Sequence, residues 1–186
     1  MVFRCFLGWL SILALAGCAT LNQEECRRGD WYALGVSDGR GGQTTDRLDE
    51  HQKACADYGI FIAPDPYFAG REQGLREYCQ FDNAFRIGLQ GEPYRHVCPP
   101  SIDGLFTHYH AAALAVYEDR AELDRLDSNL NSKERDLYDR KLSDKDRSRL
   151  RQDIREMDRS RERLRDDLYY HERQLENLRK EAGSYR

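Results

Sequence analysis

The sequence predicts an all-α protein: a small disulfide-stapled helical head followed by a long antiparallel coiled-coil hairpin. Three observations carry this expectation. Apolar residues in the last third recur with a 4-3 alternation, the pattern of a coiled-coil seam. Glycines and aromatics in the first half recur at helical spacing, which places them on one face of a helix. Strand-like alternation of apolar and polar residues is absent.

The chain begins with one early cation, Arg4, and an apolar run from Cys5 to Gly17. That run is too short to span a bilayer, which takes about 20 apolar residues. It closes on Leu15-Ala16-Gly17-Cys18, and the whole segment resembles a bacterial lipoprotein signal peptide over residues 1–17. The resemblance implies a diacylglycerol on the Cys18 thiol, cleavage before Cys18, and a fatty acyl group such as palmitate on the new amino terminus. The alternative is an ordinary secretory signal, with Cys18 an incidental thiol. Ala19 follows Cys18 where an aspartate would resemble an inner-membrane retention signal. The expected place is therefore the outer membrane, facing the periplasm, because two or more acyl chains anchor a protein stably.

Four cysteines remain beyond Cys5 and Cys18: Cys26, Cys55, Cys79 and Cys98. An even number in an exported chain reads as two disulfides, for which three pairings exist. The sequential pairing, Cys26 with Cys55 and Cys79 with Cys98, is favoured because each bond would close one copy of a duplicated unit. A zinc site is the rival reading, since His51 and Cys55 share a helix face, but no Cys-x-x-Cys pair supports it.

That duplication lies within the head, residues 18–117. Asp30-Trp31-Tyr32-x2-Gly35-x3-Gly39 matches Asp65-Pro66-Tyr67-x2-Gly70-x3-Gly74. Phe106-x2-Tyr109-x3-Ala113-Leu114-x2-Tyr117 echoes the second copy, and Phe85-x2-Gly88-x2-Gly91 is a further degenerate one. Interior glycine costs a helix about 1 kcal/mol against alanine, so several in register imply close helix packing. Asp65 followed by Pro66 predicts a helix start, as do Thr44 and Thr45 before Leu48. Gly59 predicts a stop. The head therefore reads as about four short helices around one small core. The functional alternative is a surface on which Trp31, Tyr32, Tyr67, Tyr78 and Tyr94 stack against a peptidoglycan fragment or other glycan.

These residues also carry a family resemblance. Together with His51-x3-Cys55-x3-Gly59, Arg71 and Gly88-x2-Gly91-x2-Tyr94-x3-Cys98-Pro99, they resemble the bacterial lipoprotein family of domain of unknown function 2799, over about Cys18 to Tyr117. The resemblance implies an envelope lipoprotein and supplies no activity, cofactor or catalytic residue. Tyr109 and Ala113 depart from the glycines of the earlier copies.

The tail, residues 118–186, holds 19 acids and 19 bases, so the net charge of −4 comes from the rest of the chain. No basic stripe is left to neutralise phosphates, and nucleic-acid binding is not expected. Leu123, Leu126, Leu130 and Leu137 form one apolar stretch. Leu150, Ile154, Met157, Arg161, Leu164, Leu168, His171, Leu175 and Leu178 form a second, with Arg161 and His171 as polar interruptions. Between them Ser143 can cap a new helix, with Asp146 in the capping-box position. A turn near Arg140 to Ser143 gives two arms of up to about 36 residues, about 55 Å each.

Recognised catalytic motifs are missing: no nucleophile elbow, no His-Glu-x-x-His, and no phosphate-cradling glycine loop. Asp38 and Glu72 are the one pair of acids that could be proposed as acid and base, and nothing in the sequence orients them. His108 and His110 are spaced wrongly for a metal pair on a helix. The expectation is a protein without enzymatic activity, cofactor or metal, tethered to the membrane by its N-terminal lipid. Its tail would meet a protein partner or a second copy through Leu164, Leu168, Leu175 and Leu178.

Overall fold

The computed structural model describes residues 20–184. Cys5, the apolar run and Cys18 lie outside them. Seven helices follow in order: α1 (Gln23–Arg28), α2 (Trp31–Arg40), α3 (Arg47–Ala56), α4 (Pro64–Tyr78), α5 (Phe81–Leu89), α6 (Pro100–Asp136) and α7 (Asp144–Gly183). The described residues contain no strand, and no helix among them is long and apolar enough to cross a membrane.

Local chemistry sets the helix ends. Asn22 and Glu25 form a reciprocal capping box on α1, and Gly29 ends it in the left-handed region. Asp30 caps α2 by accepting from the Ala33 amide. Gly59 has φ 71°, the conformation that stops the α3 segment. α4 differs from expectation: Ala63 is its cap and Pro64 its first residue, so Asp65 and Pro66 lie inside the first turn. Pro64 already supplies the fixed φ that a helix start favours, two residues earlier.

The repeated glycines bring two backbones together. A Cβ on Gly35 would lie 2.0 Å from the Tyr67 carbonyl oxygen, and one on Gly70 would lie 2.1 Å from that of Tyr32. Gly39 meets the carbonyl of Arg71, and Gly74 that of Val36, each at 2.3 Å. Equivalent positions of the two copies thus exchange contacts, the self-complementary geometry of a two-fold interface inside one chain. α5 and α6 pair likewise through Gly88, whose Cβ would lie 2.5 Å from the His110 carbonyl oxygen. Gly42 and Gly91, both with positive φ, run beneath the Tyr78 and Tyr117 rings of the respective partner helices.

The structure joins Cys26 to Cys55 and Cys79 to Cys98. Each bond ties the segment leading into the first helix of a pair to the segment leading into the second. The head therefore consists of two units of one plan, α2 with α4 and α5 with α6. It also has two apolar clusters where the sequence suggested one. Leu21, Cys26, Cys55 and Ile62 form the smaller. Tyr78, Phe85, Ile87, Phe106, Tyr109, Ala113 and Val116 are among the larger, which also takes in Leu175 and Ala182 of α7.

The hairpin is rooted in that larger cluster. α6 begins inside the head and runs continuously across residues 117 and 118 into the first arm. Ser143 caps α7 through the Asp146 amide at 3.2 Å, while its hydroxyl donates to the Asp146 carboxylate. The Arg147 guanidinium donates to the carbonyls of Leu137 and Asp139, closing the turn.

Candidate functional site

Three features of the molecule bear on function: the seam of the hairpin, the aromatics of the head, and a buried polar chain beside the N-terminal entry. In the seam, every expected α7 position from Leu150 to Leu178 is shielded, and Leu175 is buried. The two polar interruptions meet opposite charges on α6. His171 Nδ1 lies 2.6 Å from Asp119 Oδ2, and Arg161 Nη1 lies 3.4 Å from Asp127 Oδ1. Lys133 reaches Asp153 at 3.0 Å and Arg120 reaches Glu172 at 2.7 Å, also across the arms. Such part-exposed pairs contribute at most about 1 kcal/mol each, so the apolar stripe supplies most of the stability.

The four leucines expected as contacts lie in this seam. Leu168, Leu175 and Leu178 pack with the head's larger cluster, and Leu164 is half-buried in the same stripe. They lie in the stripe through which α7 packs on the chain's own α6. Among the described residues of the tail, the large apolar side chains left in the open lie elsewhere: Tyr138, 86 % exposed, at the turn, and Tyr169 and Tyr170 on the outer face of α7.

The five head aromatics do not form a stacking surface either. Tyr67 is fully buried and Tyr78 is buried, with its ring stacked on Phe106 at 5.5 Å. Tyr94 packs on Phe106 at 4.5 Å and donates its hydroxyl to Asp103 at 2.6 Å. Tyr32 is exposed, whereas Trp31 and Tyr94 are half-buried. The pleasing helical spacing of these rings is a consequence of packing, as the reciprocal glycines require. Burial pushes the phenols of Tyr67, Tyr78 and Tyr94 above the usual tyrosine range, and hydrogen bonds to Asp38 and Asp103 add to this for Tyr67 and Tyr94.

The polar chain links three buried titratable groups of the head, Asp38, His51 and Tyr67. Asp38 Oδ2 accepts the Tyr67 hydroxyl at 2.8 Å and lies 2.9 Å from His51 Nε2. His51 Nδ1 lies 2.8 Å from the Thr20 hydroxyl. The carboxylate can only accept, so Nε2 carries a proton; in the neutral ring Nδ1 then accepts from Thr20. Glu72 takes no part: it is exposed and pairs with Arg76 at 3.1 Å. Nor do His51 and Cys55 face a common ion, because Cys55 is bonded to Cys26 and His51 turns to Asp38. His110 is buried and bonds the Glu92 carbonyl at 2.7 Å, whereas His108 is exposed.

An aligned carboxylate, imidazole and hydroxyl could relay a proton, and here they also fix position. Thr20 is held by a buried ring, and Leu21 next to it is buried in the smaller cluster. The sequence offered His51 only beside Cys55, in the rival zinc reading, and gave no sign of Thr20. Asp38 stood in a repeat copy at a position where the other copies have no acid, which was the available signal.

The family described as a protein of unknown function, DUF2799, matches residues 30–115. The match opens at the α2 cap and ends within α6, so it holds both helix pairs and leaves the distal hairpin outside. No curated protein and no solved structure matches the chain. Over the paired helices of residues 30–115, the chain is therefore similar to the DUF2799 family.

Proposed function

We propose that this chain is an outer-membrane lipoprotein facing the periplasm, attached at Cys18, and that it acts as a structural or scaffolding protein. One observation carries the reading: a helical hairpin with a closed seam is rooted in the core of the head. A rod built this way holds its turn at a fixed distance. Residues 118–136 of α6 alone carry it about 30 Å outward, at 1.5 Å per residue. The seam leucines serve the rod itself, so the partner surface is the outer face, with Tyr138 at the turn and Tyr169 and Tyr170 along α7. Exposed aromatics of this kind are favoured anchors at protein interfaces.

The test is crosslinking in cells from photoreactive residues placed at Tyr138 and Tyr169, with a hairpin shortened by two heptads on each arm as the comparison. Removing the whole tail would strip Leu175 and Ala182 from the head's core, so the shortened rod is the cleaner variant. A defined protein crosslinked from the full hairpin and lost from the short one supports scaffolding. Crosslinks that do not differ between the two would overturn it. Cys18→Ser, followed by fatty-acid labelling, tests the attachment: retained label would refute it.

A further inference from the structure

The N-terminal entry places the head relative to its anchor. Thr20 is hydrogen-bonded to buried His51, Leu21 is buried, and Asn22 caps α1, so the chain is part of the folded head from Thr20 onward. Cys18 precedes Thr20 by two residues, which span at most about 7 Å when fully extended. A bilayer's hydrocarbon core of about 30 Å lies within a total of about 40–45 Å, leaving roughly 5–7 Å of headgroup layer on each side. A lipid on Cys18 therefore holds Thr20 within or at the edge of that layer, and the head cannot stand off on a leash.

The same corner of the head displays an aromatic ring in a way that packing does not explain. Residues 60–63 link α3 to α4 without helix or strand, and Ala63 at their end is extended. Ile60 and Ile62 turn inward onto the cluster that contains Leu21, while Phe61 between them is 81 % exposed. The segment is clamped: the Gln52 side-chain amide donates to the Ile60 carbonyl at 3.3 Å and accepts from the Ile62 amide at 2.9 Å. Tyr58, in the turn just before, is also exposed, and Trp31 packs on the same cluster. Tryptophan and tyrosine are enriched at the membrane–water interface, and phenylalanine is among the residues that interfacial anchors bury there.

We propose that the face of the head around Leu21 and Phe61 lies against the phospholipid surface that carries the Cys18 acyl chains, with the Phe61 ring seated at the headgroup–acyl boundary. The inference rests on the lipid attachment proposed above. Burial of an apolar side chain to that depth is what peripheral anchors use. The short tether makes the contact intramolecular, so one ring suffices where a free protein would need several.

The chain from Cys18 onward contains a single tryptophan, Trp31. A Trp31→Phe, Phe61→Trp protein therefore carries its only indole at position 61. The lipidated protein is reconstituted in phosphatidylethanolamine–phosphatidylglycerol vesicles whose acyl chains are brominated near the headgroup. Seating about 5–10 Å deep predicts that emission falls by about half and shifts to the blue, relative to unbrominated vesicles. In the unsubstituted protein, amide exchange over residues 58–63 should slow on vesicles relative to Cys18→Ser in solution. The mass of the N-terminal peptide and flotation with the vesicles report attachment separately. A lipidated, floating protein whose indole is unquenched overturns the membrane-facing assignment alone and leaves Phe61 to a protein partner. A chain without lipid that does not float overturns the attachment and this inference with it.

Discussion

Gly70→Ala tests whether the head is held by backbone-to-backbone contact between its two repeat copies. The added Cβ would sit 2.1 Å from the Tyr32 carbonyl oxygen and 2.9 Å from its carbonyl carbon. Ordinary contact requires α2 and α4 to separate there by about 1 Å, which forfeits roughly a quarter to a half of the local dispersion energy. Overpacking of this kind costs about 1–3 kcal/mol, and alanine returns about 1 kcal/mol of helix propensity. The opposing atoms are main chain, which cannot swing aside, so the cost lies at or above the top of that range and the net loss is about 2 kcal/mol. For a chain of this size that lowers Tm by about 4–8 °C. Gly104→Ala is the matched control: it is also helical and exposed, and a Cβ there meets nothing within 4 Å. It should raise Tm by about 2 °C through propensity alone. Calorimetry on both variants decides the matter, and a Gly70→Ala protein as stable as the parent would refute the close-packed pair.

Three further outcomes follow from the described contacts. Leu175→Ala should cost about 2–5 kcal/mol and loosen both hairpin and head, because its side chain belongs to the shared core; urea unfolding that affects the tail alone would contradict this. Replacing Cys26 and Cys55 by alanine, or Cys79 and Cys98, should cost about 3 kcal/mol in either case, since loops of 29 and 19 residues differ little in closure entropy. Stability should also fall in alkali: unfolded phenols ionise near pH 10, while the folded state keeps Tyr67, Tyr78 and Tyr94 protonated to higher pH. The unfolded state then binds fewer protons, so stability is full below about pH 10 and is lost as pH rises through the folded-state values. Tyr67→Phe should flatten that decline in denaturant midpoints measured from pH 8 to 11.

Much of the architecture was legible in the sequence because it rests on periodicity. The α7 stripe from Leu150 to Leu178 and the Ser143 cap depend on local spacing, and both stand in the structure. The glycine repeat announced close packing, but not which helices meet, because pairing is a tertiary fact. Gly70 finds Tyr32 and Gly88 finds His110, and neither choice is written in the spacing. Tyr67 and Tyr78 could be read as a ligand surface or as core for the same reason. The Thr20–His51–Asp38 chain was the least visible, since its members stand 31 and 13 residues apart and share no motif. The two cores and the return of α7 into the head likewise depend on where a long rod bends back, which only the folded chain decides.

A zipper of leucines alone has many near-equal ways to close, each one notch from the next. Here a slip of one notch would set the Asp119 carboxylate against Leu164 or Leu178 in place of His171. Stranding that charge among apolar neighbours is costly, as it is for polar residues that set register in other coiled coils. The rod therefore has a single length, and whatever meets its far end meets it at one height.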